Sequence, residues 1–91
     1  MNNPNENAPT YEEFKELIAE RLAPMIEAVR RTDSNNPTAR EYVFSEEGDG
    51  VVREHFDMDL EKFNKGQITR EIFLGDCVSS AVMCLSLMYG S

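Results

Sequence analysis

Apolar residues recur at helical spacing in three stretches of this chain. In the first, Tyr11, Phe14, Leu17, Ile18, Leu22, Met25, Ile26 and Val29 draw a single stripe, the mark of an amphipathic helix. Thr10 to Glu13 is a capping-box pattern at its start, and Arg30 and Arg31 suit the negative end of its dipole. Pro24 interrupts the stripe without changing its phase. An interior proline removes one hydrogen bond and costs about 3 kcal/mol, so the pattern predicts one helix kinked at Pro24. Thr32 to Asn36 reads as a loop.

The second stripe is Val52, Phe56, Leu60 and Phe63, on a helix predicted over Val51 to Asn64. Gly48-Asp49-Gly50 reads as a break before it, with Asp49 as N-cap, and Lys65-Gly66 as its end. Between the two stripes, residues 37–47 hold Tyr42-Val43-Phe44, which suits a short strand or a short helix. A strand would have only Val51-Val52 to pair with, so a helical or irregular segment is expected, opened by Asn36 and Pro37.

The third stretch, Ile72 to Tyr89, is apolar nearly all round, with Glu71 at its entrance and Asp76 one turn in. A helix of that kind needs cover on most sides. Phe73, Cys77, Ala81, Cys84 and Met88 fall on one side, Leu74, Val78, Leu85 and Tyr89 on a second, and Gly75, Ser79 and Ser86 on a third. Two neighbouring helices cover two sides at most. A two-fold copy is the expected cover for the rest, through an oligomer interface of Cys77, Ala81, Cys84, Leu85, Met88 and Tyr89. The fold class is all-α: a small bundle of three long helices and one short element, the apolar helix central, with short connections that favour antiparallel neighbours.

Length bounds the rest. The 91 residues make one domain, expected over residues 10–91, with 1–9 as a flexible Asn- and Pro-rich tail. A domain of this size is only marginally stable alone. No basic n-region precedes an apolar core, and the apolar run is shorter than the ~20 residues of a membrane span. Cys77 and Cys84 lie seven residues apart, about 10.5 Å on a helix, beyond disulfide reach. The expectation is a cytoplasmic protein without membrane attachment.

Charge narrows the partners. Seventeen acidic side chains against nine basic ones leave a net charge of −8. Direct nucleic-acid binding needs a basic footprint, which is missing here. Eight carboxylates and one base, Arg53, fall between Glu41 and Glu61, so a net −7 sits in that one block. Glu54, Asp57 and Glu61 share the face opposite the second apolar stripe. The block fails as a calcium loop. Counting from Asp57, position 6 is Lys62 rather than glycine; counting from Glu61, position 12 is Ile72 rather than glutamate.

Catalytic patterns are missing as well. His55 is the only histidine, without a second catalytic partner type in sequence, and Ser79, Ser80 and Ser86 lack a nucleophile-elbow context. No enzyme activity, cofactor or metal is expected. The sequence suggests a small acidic protein that docks on a basic surface of a larger protein and inhibits or modulates it, through Glu46, Glu47, Asp49, Glu54, Asp57, Asp59 and Glu61. An inhibitor of nucleic-acid-handling machinery, carried by a phage or mobile element, fits that outline of size and charge. The alternative is a structural or assembly subunit held as a homodimer by the apolar helix.

Overall fold

The computed structural model describes residues 7–32 and 35–89. Among these residues the chain is an all-α bundle without strands. Helix α1 runs from Tyr11 to Thr32, α2 from Ala39 to Val43, α3 from Glu46 to Asn64 and α4 from Arg70 to Met88.

α1 passes through Pro24 as one helix. Pro24 is on the exposed side, so its ring meets solvent rather than the core. The Glu13 N–H donates to the Thr10 hydroxyl at 3.0 Å. The Glu13 carboxylate instead takes both its contacts, at 2.9 Å, from the Arg70 guanidinium on α4. Arg70 Nε also donates to the Asn7 carbonyl, and Pro9 is buried. The expected tail thus gives way to anchored chain from residue 7 onward, while residues 1–6 lie outside the described part.

The short element is helical, and its cap is Thr38 rather than Asn36. Thr38 accepts from the Glu41 N–H and donates its own N–H back to the Glu41 carboxylate. α3 begins five residues earlier than Val51, because Ser45 caps it by accepting from the Gly48 N–H. Gly48-Asp49-Gly50 therefore does not break the helix. Glycine is required at 48 for close approach: a β-carbon there would lie 2.0 Å from the Tyr42 carbonyl oxygen. The end of α3 is a Schellman turn. Gly66 adopts φ 76°, its N–H reaches the Phe63 carbonyl, and the Gln67 N–H reaches that of Lys62.

α4 is capped by Thr69 and contains one π-helical turn, Phe73–Cys77. A π turn brings residues five apart into line. Here it sets Phe73 in line with Val78, Ala81, Leu85 and Tyr89, all buried, so two sides of the predicted helix merge into one core face. Arg21 of α1 donates to the Gly75 carbonyl inside that turn, at 3.2 Å.

α1 and α4 run parallel, in the register Glu13 to Arg70, Phe14 to Phe73 and Arg21 to Gly75. α3 returns antiparallel to α4, with Glu47 near Met88 and Phe63 near Phe73. The core centres on Phe14, Phe56, Phe63 and Phe73, whose rings meet at 5.5–6.0 Å between centroids, each such pair adding roughly 1 kcal/mol beyond simple burial. Leu22, Ile26, Val43, Val52 and Leu85 extend it.

The structure differs most from expectation at α4. The helix is 19 residues long, with a mean hydropathy of 1.5 over its apolar window, which by length and composition alone suffices to cross a membrane. Only 28% of that window is buried. α4 packs one face into the bundle and leaves the opposite face open, instead of being surrounded.

Candidate partner-binding surface

The acidic block divides into three parts once folded. Glu47, Glu54, Asp57 and Glu61 lie on the outward side of α3, all exposed. From Glu47 to Glu61 they span about 21 Å of helix. Met58 stands beside them, 50% exposed. Among the described residues the ion pair on this strip is Lys65 with Glu61, at 3.0 Å and in solvent, a contact of small strength. Glu46 is exposed in the first turn. Arg53, the base within the block, turns away: its guanidinium lies 4.4 Å from the centre of the Tyr11 ring and 3.8 Å from Asp49.

Asp49 belongs to the fold rather than to the strip. It pairs with the Lys15 ammonium and accepts from the Tyr11 hydroxyl at 2.5 Å. Lys15 is buried, its ammonium 4.5 Å from the centre of the Phe44 ring, while Arg40 lies 4.6 Å from that ring and holds Glu16 at 2.5 Å. The Lys15 contact first, then the Tyr11 hydroxyl, holds Asp49 below the usual carboxylate range. Burial first, and then Asp49, pushes the Tyr11 phenol well above its ordinary value. This cluster fastens the start of α3 onto α1.

Asp59 is not a surface residue. It is 5% exposed and stands beside Cys77 of α4. Burial first, and then the charge and hydrogen bond of Asp59, push the Cys77 thiol up to about 11. At neutral pH that sulfur is a protonated thiol and a poor nucleophile. The sequence did carry the signal: Asp59 follows Val52 by seven residues and precedes Phe63 by four, which places it on the core side of α3. His55 is half-buried beside that side. Among the described residues no three His, Cys, Asp or Glu side chains gather to hold a metal ion.

The residues expected at an oligomer interface are placed differently. Ala81, Leu85 and Tyr89 fill the chain's own core, the last with its hydroxyl on the Pro37 carbonyl at 2.6 Å and its ring edge-on to Tyr42. Cys77, Cys84 and Met88 are half-buried, and both cysteines are free thiols. The exposed apolar side chains of α4 are instead Ile72, Met83 and Leu87, with Met25 and Val29 of α1. Met83 and Leu87, one turn apart, lie beside the third side read as Gly75, Ser79 and Ser86, which left these two large side chains out.

Glu46 and the carboxylate strip are thus the parts of the predicted acidic surface whose charges are left facing solvent. Compared with protein-family models, with curated proteins and with solved structures, the chain matches none.

Proposed function

We propose that the protein acts by binding rather than catalysis: the outward strip of α3 docks on a basic surface of a larger protein and inhibits or modulates it. The observation that carries this reading is the strip itself. Glu47, Glu54 and Asp57 have no ion-pair partner among the described residues, and the half-exposed Met58 lies at the edge of the strip, one turn from Glu54, Glu61 and Lys62. Unneutralised carboxylates steer a basic partner inward and set register. An exposed apolar side chain beside the charges adds area that a partner can cover. A groove built to hold nucleic-acid phosphates has the chemistry this strip complements. Asp49 and Asp59 are left out of the docking set, being committed to the interior.

The test is capture of partners from lysate, at low and high salt, beside the variant Glu54→Lys, Asp57→Lys, Glu61→Lys. These positions are exposed, so the variant keeps its fold by circular dichroism. A basic partner lost in the variant and at high salt is the expected result. Capture of the same partner by variant and parent alike would remove the strip from the account.

A further inference from the structure

We propose that the open face of α4 is covered by a second copy of this chain, in a two-fold dimer that the acidic strip does not enter. The exposed positions of α4 are Glu71, Ile72, Asp76, Ser79, Ser80, Met83 and Leu87. Met83 is 55% exposed and Leu87 75%. Met25 and Val29 of α1 lie beside them and are also exposed. Large apolar side chains clustered on one face mark an interaction site rather than ordinary surface.

Shape and charge together select the occupant. A shallow groove of about 200 Å³ lies between α1 and α4, lined by Arg21, Met25, Ser79, Val82 and Met83. Leu87 projects about 6 Å further along the same helix, one turn past Met83. Knob and hole therefore sit side by side on one face of one chain. A two-fold axis between them seats each Leu87 in the other copy's groove, which is the self-complementarity an isologous contact demands.

From Cys77 to Tyr89, α4 carries no charged side chain. Two molecules of net charge −8 repel each other across most approaches. Over Ser79 to Leu87 this face lets them meet with little of that repulsion, its nearest charges being Asp76 toward one end and Arg21 in the groove. The patch is small beside a standard interface of about 800 Å² per partner, so the dimer is weak, with a dissociation constant on the order of micromolar or higher. It would present two acidic strips at once, raising the avidity of each.

The experiment is sedimentation equilibrium of the full chain from low micromolar to millimolar concentration, at low and high salt. The expected result is a rise from the 10.4 kDa chain mass to twice that value, favoured by salt because salt screens the like charges. Leu87→Glu and Met83→Glu, both at exposed positions, should stay monomeric throughout with unchanged helical circular dichroism. Met58→Glu on the acidic strip should dimerise as the parent does. A parent chain at monomer mass at every concentration would overturn the proposal. So would a Leu87→Glu chain that still dimerises, or a monomer that partitions onto neutral phosphatidylcholine vesicles. Salt acts in opposite senses on the dimer and on docking by the acidic strip, so the two readings fail separately.

Discussion

Alanine at position 48 should destabilise this protein, although alanine is a far better helix former than glycine. Both Gly48 and Gly50 lie within the first turns of α3. Intrinsic propensity alone favours alanine over glycine by about 1 kcal/mol at either site. A β-carbon added at Gly50 would have nothing within 4 Å of it, so Gly50→Ala should raise stability by roughly 0.5–1 kcal/mol. At Gly48 the new β-carbon would meet the Tyr42 carbonyl oxygen at 2.0 Å and the Val43 α-carbon at 3.1 Å. Both obstacles are backbone, so no side-chain rotation relieves the contact. The turn between α2 and α3 must move. That turn carries the Tyr42 carbonyl, which accepts from the Ser45 hydroxyl at 2.6 Å, and the same hydroxyl caps α3. Overpacking costs about 1–3 kcal/mol and a damaged cap about 1 more. Against the propensity gain, the net loss is about 1–3 kcal/mol. For a domain of this size each kcal/mol moves the melting temperature by roughly 4–8 °C. Thermal and urea unfolding followed by circular dichroism should therefore show the two variants shifted in opposite directions. A Gly48→Ala protein as stable as Gly50→Ala would refute the close approach of α3 to the α2 turn.

Three further outcomes follow from the interior. Asp49 titrates below the ordinary value of an unfolded aspartate because of Lys15 and Tyr11, so its contribution is complete above that ordinary value, about 3.9, and is lost as pH falls through the lower folded value. Asp49→Asn should lower the melting temperature at neutral pH and flatten its decline below about pH 4; an unchanged acid limb would argue against the cluster. Cys77, with its thiol near 11, should react with iodoacetamide at neutral pH more slowly than a free cysteine does, and Asp59→Asn, assayed where it remains folded, should quicken it; equal rates in parent and variant would remove Asp59 as a cause. Phe73→Ala, at the meeting point of three other phenylalanines, should cost about 3–5 kcal/mol, enough to abolish a cooperative urea transition in a marginal domain, and a shift under 1 kcal/mol would displace Phe73 from the centre of the core.

Much of the fold is legible in the spacing of apolar residues. The stripe from Tyr11 to Val29 and the stripe from Val52 to Phe63 both become helices whose stripes face inward, except for the exposed Met25 and Val29, since a strong period of 3.6 leaves few alternatives. Gly66 ends α3 with positive φ, as a glycine after a helical stripe suggests. The misreadings have physical sources. Gly48 and Gly50 look like a break because propensity says nothing about a carbonyl waiting 2.0 Å from an absent β-carbon. Ser45, not Asp49, caps α3, because Asp49 is drawn to Lys15 and Tyr11, which lie more than thirty residues away in sequence. The faces of α4 follow the wrong period where a π turn is inserted, and a plain helical period carries no sign of such a turn at Phe73–Cys77. Of the acidic surface, Glu54, Asp57 and Glu61 are readable from the helical wheel, and Glu47 joins them because α3 begins at Glu46 rather than Val51. Equally readable is the inward position of Asp59, whose spacing from Val52 and Phe63 outweighs its charge.

The parallel pairing of α1 with α4 governs when this protein can fold. Phe14 meets Phe73 and Glu13 meets Arg70, so the partners that close the core lie nearly sixty residues apart in the chain. During synthesis α1, α2 and α3 are made and emerge before α4, at about 5–20 residues per second. Until α4 arrives, the sides of Phe14, Phe56 and Phe63 that meet Phe73 have no cover. The core then closes late, when α4 joins α1 and α3, with the loop-closure cost of that pairing met before its own contacts form. In that interval the like charges of the acidic residues of α3 keep nascent chains apart.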